Sequence, residues 1–163
     1  MTRIRFEKLL WLMPVAFVPH IVEEYVGGFP GWVTHTLHGR FDNRLFALNN
    51  AAFMALMLGL SLWASRSRSR LSAFALMSWS SGNLFWDFLL PHLGGTVLYG
   101  VYSPGLVTAV LLYYPINLWV AWACWRDGRL SKAQIAGAFA VGLGLIAFVI
   151  WAGLFHFAGL ATG

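Results

Sequence analysis

A histidine and two adjacent glutamates interrupt an apolar stretch near the start of the sequence. The run LLWLMPVAFVPHIVEEY, residues 9–25, places His20, Glu23 and Glu24 three and four positions apart. At that spacing the side chains share one face of a helix. An unpaired charge in hydrocarbon costs at least about 2.5 kcal/mol on insertion scales. This face should therefore point into a helix bundle, toward compensating partners.

Candidate partners follow in the third apolar stretch, SSGNLFWDFLLPHL, which carries Asn83, Asp87 and His92. Counting about 1.5 Å per residue along each predicted membrane span places these groups and the first set at one level in the outer half of the bilayer. Asn49 of the second span and Thr108 of the fourth fall near the same level. We predict a polar pocket that opens toward the outer leaflet.

Imidazole and carboxylate groups form a ligand set that suits Zn²⁺, Fe²⁺ or Mn²⁺ better than copper(I), which prefers sulfur. We predict that His20 and Glu24 bind such a divalent metal from the first helix. His92 or Asp87 would close the site from the third. Glu23 would support a ligand or act as a general base on bound water. The side chains that would orient this set are Asn49, Asn83 and Thr108. The same three, with Trp86 and Tyr102, are predicted to bind the substrate.

Metal-free acid and base catalysis is an alternative use of the same residues. Two neighbouring glutamates in a low-dielectric pocket should not both ionise, so one would serve as the acid and the other as the base. Trp86 lies beside Asp87, and aromatic faces stabilise the cationic intermediates of an isoprenoid or sterol isomerase or cyclase. A third alternative is a small transporter or a non-catalytic binding protein, because buried ionisable residues also line ion paths.

Two short motifs in this sequence resemble those of the HXXEE family of small multi-spanning membrane proteins. HIVEE at residues 20–24 matches the motif that gives the family its name, and YSPG at residues 102–105 matches its YxPG motif. His92 fits the further histidine of the family, although Asp87 stands where relatives could carry that histidine. The resemblance implies an enzyme-like site without naming an activity.

The YSPG segment also opens the fourth predicted span. Pro104 is tolerated in the first turn of a helix, and Gly105 permits close approach of another backbone. The free amide groups and positive dipole end of this helix start could bind an anionic or carbonyl oxygen of a substrate, with Tyr102 beside it. The alternative is that the segment serves only as a helix start.

Two further histidines, His35 and His38, lie three apart in the connector GWVTHTLHGRFD. They could form an external metal clip or a lid, but a solvated loop is the interpretation that we favour.

Composition specifies the elements that must position these residues. Of 163 residues, 59% are hydrophobic and 10% are charged, with a mean hydropathy of +0.67, whereas soluble domains carry about 25% charged residues. We predict one all-α domain over residues 1–163, a multi-pass protein of the cell membrane. Five apolar stretches are long enough to cross a bilayer, at about residues 9–26, 45–64, 71–92, 101–125 and 133–160.

The predicted membrane topology explains the formal net charge of +5. Arginines and lysines cluster in the N-terminal tail, in SRSRSR and after the fourth span, which predicts a cytoplasmic N-terminus and an external C-terminus. We expect these charges to contact membrane lipids and not nucleic acid. The expected substrate is a lipophilic small molecule. Small residues at close spacing in the fifth span predict tight helix packing or a homodimer face.

Overall fold

The computed structural model describes residues 4–152, and within them every regular element is helical, with no strand. The all-α prediction is therefore confirmed for this part of the chain. Residues 153–160 of the predicted fifth span lie outside the described residues. We number the six helices α1 Phe6–Gly27, α2 Phe29–Thr36, α3 Asn43–Ser67, α4 residues 70–99, α5 Leu106–Arg126 and α6 Lys132–Ala152.

Four of these helices, α1, α3, α5 and α6, are long and apolar enough to cross a membrane, whereas the sequence predicted five spans. The predicted third span, residues 71–92, lies within α4, which is continuous and long but falls short of the other four in hydropathy. Polar side chains cause this difference, and several of them are buried inside the bundle: Ser78, Ser80, Ser81, Asn83 and His92.

Two helices contain π-helical turns where predicted site residues lie. Pro91 and Pro115 have no N–H and cannot complete the usual i to i−4 bond, which favours such turns. A π-helical bond joins residues five apart, so Asp87 and His92, five apart, project to the same side. The turns cover Ser81–Trp86 and Phe88–Gly94 in α4 and Ala109–Tyr113 in α5.

The helices pack so that α1, α4 and α5 meet along one apolar core. Helix α4 contacts α3, α5 and α6, while α1 contacts α3 and α5. Several large and fully buried apolar side chains come from these helices and close the bundle beneath the predicted site: Leu10, Met13, Met57, Leu76 and Val120. The core therefore fixes the relative positions of the two helices that carry the ionisable residues.

Polar contacts fasten α1 to the far end of α5. The Phe6 N–H donates to Asp127 Oδ2 at 2.8 Å, and Arg126 Nη2 donates to the Ile4 carbonyl at 2.6 Å. Arg129 forms an ion pair with Glu7. Because these contacts lie at the opposite end of α1 from His20, the helix is held against α5 over its full length.

Close contact between α4 and α6 depends on the absence of a side chain at Gly142. A Cβ atom there would lie 2.8 Å from both the Gly82 nitrogen and the Ser78 carbonyl oxygen. The tight helix packing predicted for the fifth span thus occurs within the chain, and the homodimer stays a prediction.

We expect Gly142→Ala to destabilise the fold by about 1–3 kcal/mol, because backbone atoms cannot move aside without separating the helices. Gly144→Ala is the matched control, since a Cβ at Gly144 would meet nothing within 4 Å. Thermal unfolding in detergent compares the two variants. Equal unfolding temperatures would contradict the close contact.

Candidate metal centre

Ionisable side chains from α1 and α4 meet in one buried cluster. His20 Nε2 lies 3.6 Å from Glu24 Oε1 and 3.7 Å from Asp87 Oδ2. His92 Nε2 lies 3.6 Å from the same Glu24 oxygen and 3.3 Å from the same Asp87 oxygen. His20, Glu24 and His92 expose 2%, 6% and 0% of their surfaces, and Asp87 is half-buried. Two nitrogens and two oxygens therefore face a common centre.

The spacing of these atoms suits a metal ion. His20, Glu24 and His92 each offer one ligand atom, and the three atoms lie within 4.8 Å of one another. Around a tetrahedral Zn²⁺ with bonds of 2.0–2.1 Å, neighbouring ligand atoms are about 3.3–3.4 Å apart. Glu24 Oε1 lies 3.6 Å from each of the two imidazole Nε2 atoms, a separation that approaches that value and exceeds the length of an ordinary N–H···O hydrogen bond.

The Nε2 atom of His92 has no hydrogen-bond partner among the described residues, although the ring is fully buried. A buried polar atom left without a partner costs free energy, so native structures usually satisfy it with protein, water or an ion. The Glu24 carboxylate and the His20 ring lie beside this atom. A cation at the centre of the cluster would satisfy the nitrogen and the carboxylate together.

Hydroxyl groups fix the other nitrogen of each imidazole. His20 Nδ1 lies 2.9 Å from Thr108 Oγ1, and His92 Nδ1 lies 3.0 Å from Ser103 Oγ. Partners of this kind orient metal-binding histidines and select their tautomer. Thr108 therefore lies where the sequence prediction required an orienting group. Ser103 was missed, because the sequence gives no indication that its hydroxyl reaches a ring eleven residues earlier.

Glu23 binds the start of α5. Its Oε1 accepts hydrogen bonds from the Tyr102 hydroxyl at 2.5 Å and the Val107 N–H at 3.2 Å. Its Oε2 accepts from the N–H and hydroxyl of Thr108 at 2.7 and 2.6 Å. Partial desolvation and the bond to Glu23 raise the pKa of Tyr102, so the phenol stays protonated and donates. The helix start predicted to bind a substrate oxygen thus holds a carboxylate of the chain.

These bonds favour a positioning role for Glu23 and Tyr102, because both glutamate oxygens already accept two donors each. The general base role of Glu23 and the substrate-binding role of Tyr102 stay predictions.

Gly105 lies against the cluster itself. Its φ is +98°, and a Cβ there would lie 2.6 Å from His92 Cε1 and 2.9 Å from both Glu24 Cγ and His20 Cε1. One residue earlier, Pro104 packs so closely on Gly27 that a Cβ at Gly27 would approach the proline ring to 2.7 Å. Every residue of the YSPG segment therefore contacts α1 or α4, so the motif is a structural part of the site.

A cavity of about 80 Å³ adjoins the cluster. Asn49 and Asn83, predicted to bind substrate, line it, and the Asn83 amide nitrogen donates to the Trp79 carbonyl at 2.9 Å. The remainder of the wall is mainly apolar and aromatic. Besides three cluster residues, His20, Glu24 and Asp87, it includes Asn50, Phe17, Phe29, Phe41, Phe46, Phe53, Tyr113, Ile146, Val149 and Ile150.

Trp86, also predicted to bind substrate, lies elsewhere. The Trp86 indole nitrogen donates to the Phe139 carbonyl of α6 at 2.8 Å. Among residues 4–152, Trp86 does not belong to the cavity wall. Successive residues of a helix point about 100° apart, so Trp86 faces α6 although its neighbour Asp87 faces the cluster.

The sequence did not indicate Tyr113 as a site residue, although its ring lies 4.1 Å from that of His20.

His35 and His38 are exposed and take no part in the buried cluster. His35 belongs to α2, so it lies on a short helix and not in the expected loop. His38 follows that helix with a φ of 55°. Their use as an external metal clip stays a prediction.

Comparison with known proteins agrees with the motifs. The family described as "Protein of unknown function with HXXEE motif" matches residues 11–120, well over half of the chain, and includes both the HIVEE and YSPG segments. No curated protein and no solved structure matches the chain. The match carries no activity, but its extent leaves no ambiguity about relationship: the chain belongs to the HXXEE family.

Proposed function

We propose that this protein is a multi-pass cell-membrane enzyme that uses a divalent metal bound by His20, Glu24 and His92. Two histidines and one glutamate are a ligand set of catalytic zinc sites, which keep the fourth position open for water or substrate. The observation that carries the proposal is the buried Nε2 of His92, which has no hydrogen-bond partner among residues 4–152 and lies 3.6 Å from Glu24 Oε1, beside the His20 ring. Fe²⁺ and Mn²⁺ also accept this donor set.

Asp87 is the best-placed general base. Its Oδ2 lies 3.3 Å from His92 Nε2 and 3.7 Å from His20 Nε2, and it lines the cavity. A bound metal would polarise a substrate oxygen or acidify water at its open position. Asp87 would then take the proton of that water. Were Asp87 to bind the metal as a fourth ligand, the site would be closed and structural.

The cavity wall supports a lipophilic substrate of lipid or isoprenoid type. Five phenylalanines line the cavity, and the amides of Asn49 and Asn83 offer polar contacts near the cluster. Walls of this composition contact apolar molecules and orient them with a few polar groups. A cavity of about 80 Å³ would hold the reacting end of such a molecule. We further propose that α4 also crosses the bilayer, that the N-terminus is cytoplasmic and the C-terminus external, and that the site lies in the outer leaflet.

Metal analysis of the purified protein tests this proposal. We expect close to one equivalent of zinc, iron or manganese per chain. His20→Ala should weaken metal binding by at least about 100-fold, because the loss of even a group that hydrogen-bonds a metal ligand weakens binding 10–100-fold. His35→Ala is the matched control, because His35 is exposed and outside the cluster. Metal-free wild-type protein, or equal metal in the two variants, would contradict the proposal.

A metal-free isomerase or cyclase is the second candidate. The aromatic wall beside Glu24 and Asp87 favours it, since aromatic faces stabilise carbocations. Lipid extracted from metal-free protein, identified by mass spectrometry as an elongated isoprenoid-like molecule, would favour this candidate over the first.

A further inference from the structure

Tyr113 lines the cavity, and its buried hydroxyl has no hydrogen-bond partner in the described part of the chain. The residue is 0% exposed, and its hydroxyl makes no hydrogen bond with the described residues. Its ring lines the cavity that adjoins the metal centre. A buried donor left unsatisfied is costly, so each native example requires an explanation.

Neighbouring rings hold the phenol in place. The Tyr113 ring lies 4.1 Å from the His20 ring, tilted by 31°, and stacks with Phe17 at 6.1 Å and 9°. Contacts on two sides restrict the rotation of this side chain. The phenol ring is therefore held beside His20, a proposed metal ligand.

The π-helical turn of α5 places Tyr113 on the same side of the helix as Thr108, which contacts the metal centre. Tyr113 ends the π-helical turn Ala109–Tyr113 and follows Thr108, which bonds His20 Nδ1, by five residues. Residues five apart lie on the same face of a π-helix. One segment thus orients the His20 ring and places a phenol beside it.

We propose that the Tyr113 hydroxyl donates a hydrogen bond to an exogenous oxygen or nitrogen ligand at the open position of the metal centre. This inference rests on the proposed function. The ligand class is a small anion or a carbonyl, carboxylate or hydroxide oxygen, because the phenol supplies a donor while Glu24 and Asp87 supply only acceptors when ionised. Tyr113 would be a substrate-contacting residue that fixes the reacting oxygen.

The alternative use of the hydroxyl is a buried water shared with Asn117. Asn117 lies one turn further along α5, is fully buried, and donates to Ser80 Oγ at 3.2 Å. Its Oδ1 has no hydrogen-bond partner within the described residues. A bridging water would satisfy both atoms. In that case removing the hydroxyl would leave ligand binding at the metal unchanged.

Azide binding to the cobalt-substituted protein tests the assignment. Cobalt(II) reports its coordination by visible absorption, and azide is a small anion that accepts hydrogen bonds. We expect Tyr113→Phe to bind cobalt as the wild type does but azide about tenfold more weakly, the effect of one lost hydrogen bond to a charged group. Tyr114→Phe is the control, because Tyr114 is exposed and stacks on Phe85.

The outcomes separate the two proposals. Equal cobalt and equal azide affinity in Tyr113→Phe and wild type would overturn the role of Tyr113 and leave the metal centre intact. A wild-type protein that takes up no cobalt would overturn the metal centre, and the role of Tyr113 with it. A normal cobalt spectrum in Tyr113→Phe before azide is added shows that the variant is folded.

Discussion

Gly105→Ala is expected to abolish metal binding and to destabilise the fold more than an alanine at any other left-handed glycine. The new Cβ would approach His92, Glu24 and His20 within 2.6–2.9 Å. Those side chains would have to leave the positions that bring their donor atoms together. The left-handed backbone, with a φ of +98°, adds a cost of its own.

Gly100→Ala is the matched control for this variant. Gly100 has a φ of +65°, and a Cβ there would meet nothing within 4 Å. We expect Gly100→Ala to lose about 1–2 kcal/mol of stability from the backbone alone, with full metal content. Gly105→Ala should lose about 1–3 kcal/mol more and nearly all of its metal. Thermal unfolding and metal analysis measure both quantities, and full metal in Gly105→Ala would contradict the arrangement of the site.

The second large effect concerns the two adjacent glutamates, because we expect their substitutions to change different properties of the protein. Glu24→Gln should weaken metal binding by at least about 100-fold, because it removes the charged ligand. Its effect on metal-free stability should be small. Glu23→Gln should retain metal but lose about 2 kcal/mol of stability, because an amide cannot accept all the bonds that the carboxylate accepts at the start of α5.

Each glutamate variant serves as the control for the other, since both remove one negative charge from neighbouring positions. Metal content of the purified variants and thermal unfolding after chelation distinguish the two effects. Metal loss in Glu23→Gln without a change in stability would reverse the roles assigned here. Retention of full metal by Glu24→Gln would remove it from the ligand set.

Helical periodicity was sufficient to predict the face of α1. His20 and Glu24 are one turn apart, and the structure places both in the buried cluster. Periodicity puts both Glu23 and Glu24 on a face with His20, and the prediction gave Glu24 the ligand role and Glu23 a supporting or general-base role. The sequence could not show that Glu23 accepts hydrogen bonds from Tyr102 and from the start of α5, because these donors are 79 to 85 residues away.

The π-helical turns explain why the sequence left Asp87 and His92 as alternatives. On a regular α-helix, residues five apart project about 140° apart, so only one of them could face α1. The wide turn after Asp87 brings both to the same side, and both contact the cluster. The π-helical turn in α5 likewise explains why sequence periodicity did not place Tyr113 beside His20. Proline indicates where such turns occur, but it does not predict which residues they bring to the same side of the helix.

X-ray absorption spectroscopy at the edge of the bound metal tests the central claim most directly. The structure predicts a first shell of nitrogen and oxygen at about 2.0–2.2 Å with no sulfur, and the multiple-scattering signal of two imidazoles. His92→Ala, if it retains metal under excess, should show one imidazole. A hydrated ion with no imidazole signal, or an imidazole count unchanged in His92→Ala, would contradict the convergence of α1 and α4 on one metal ion.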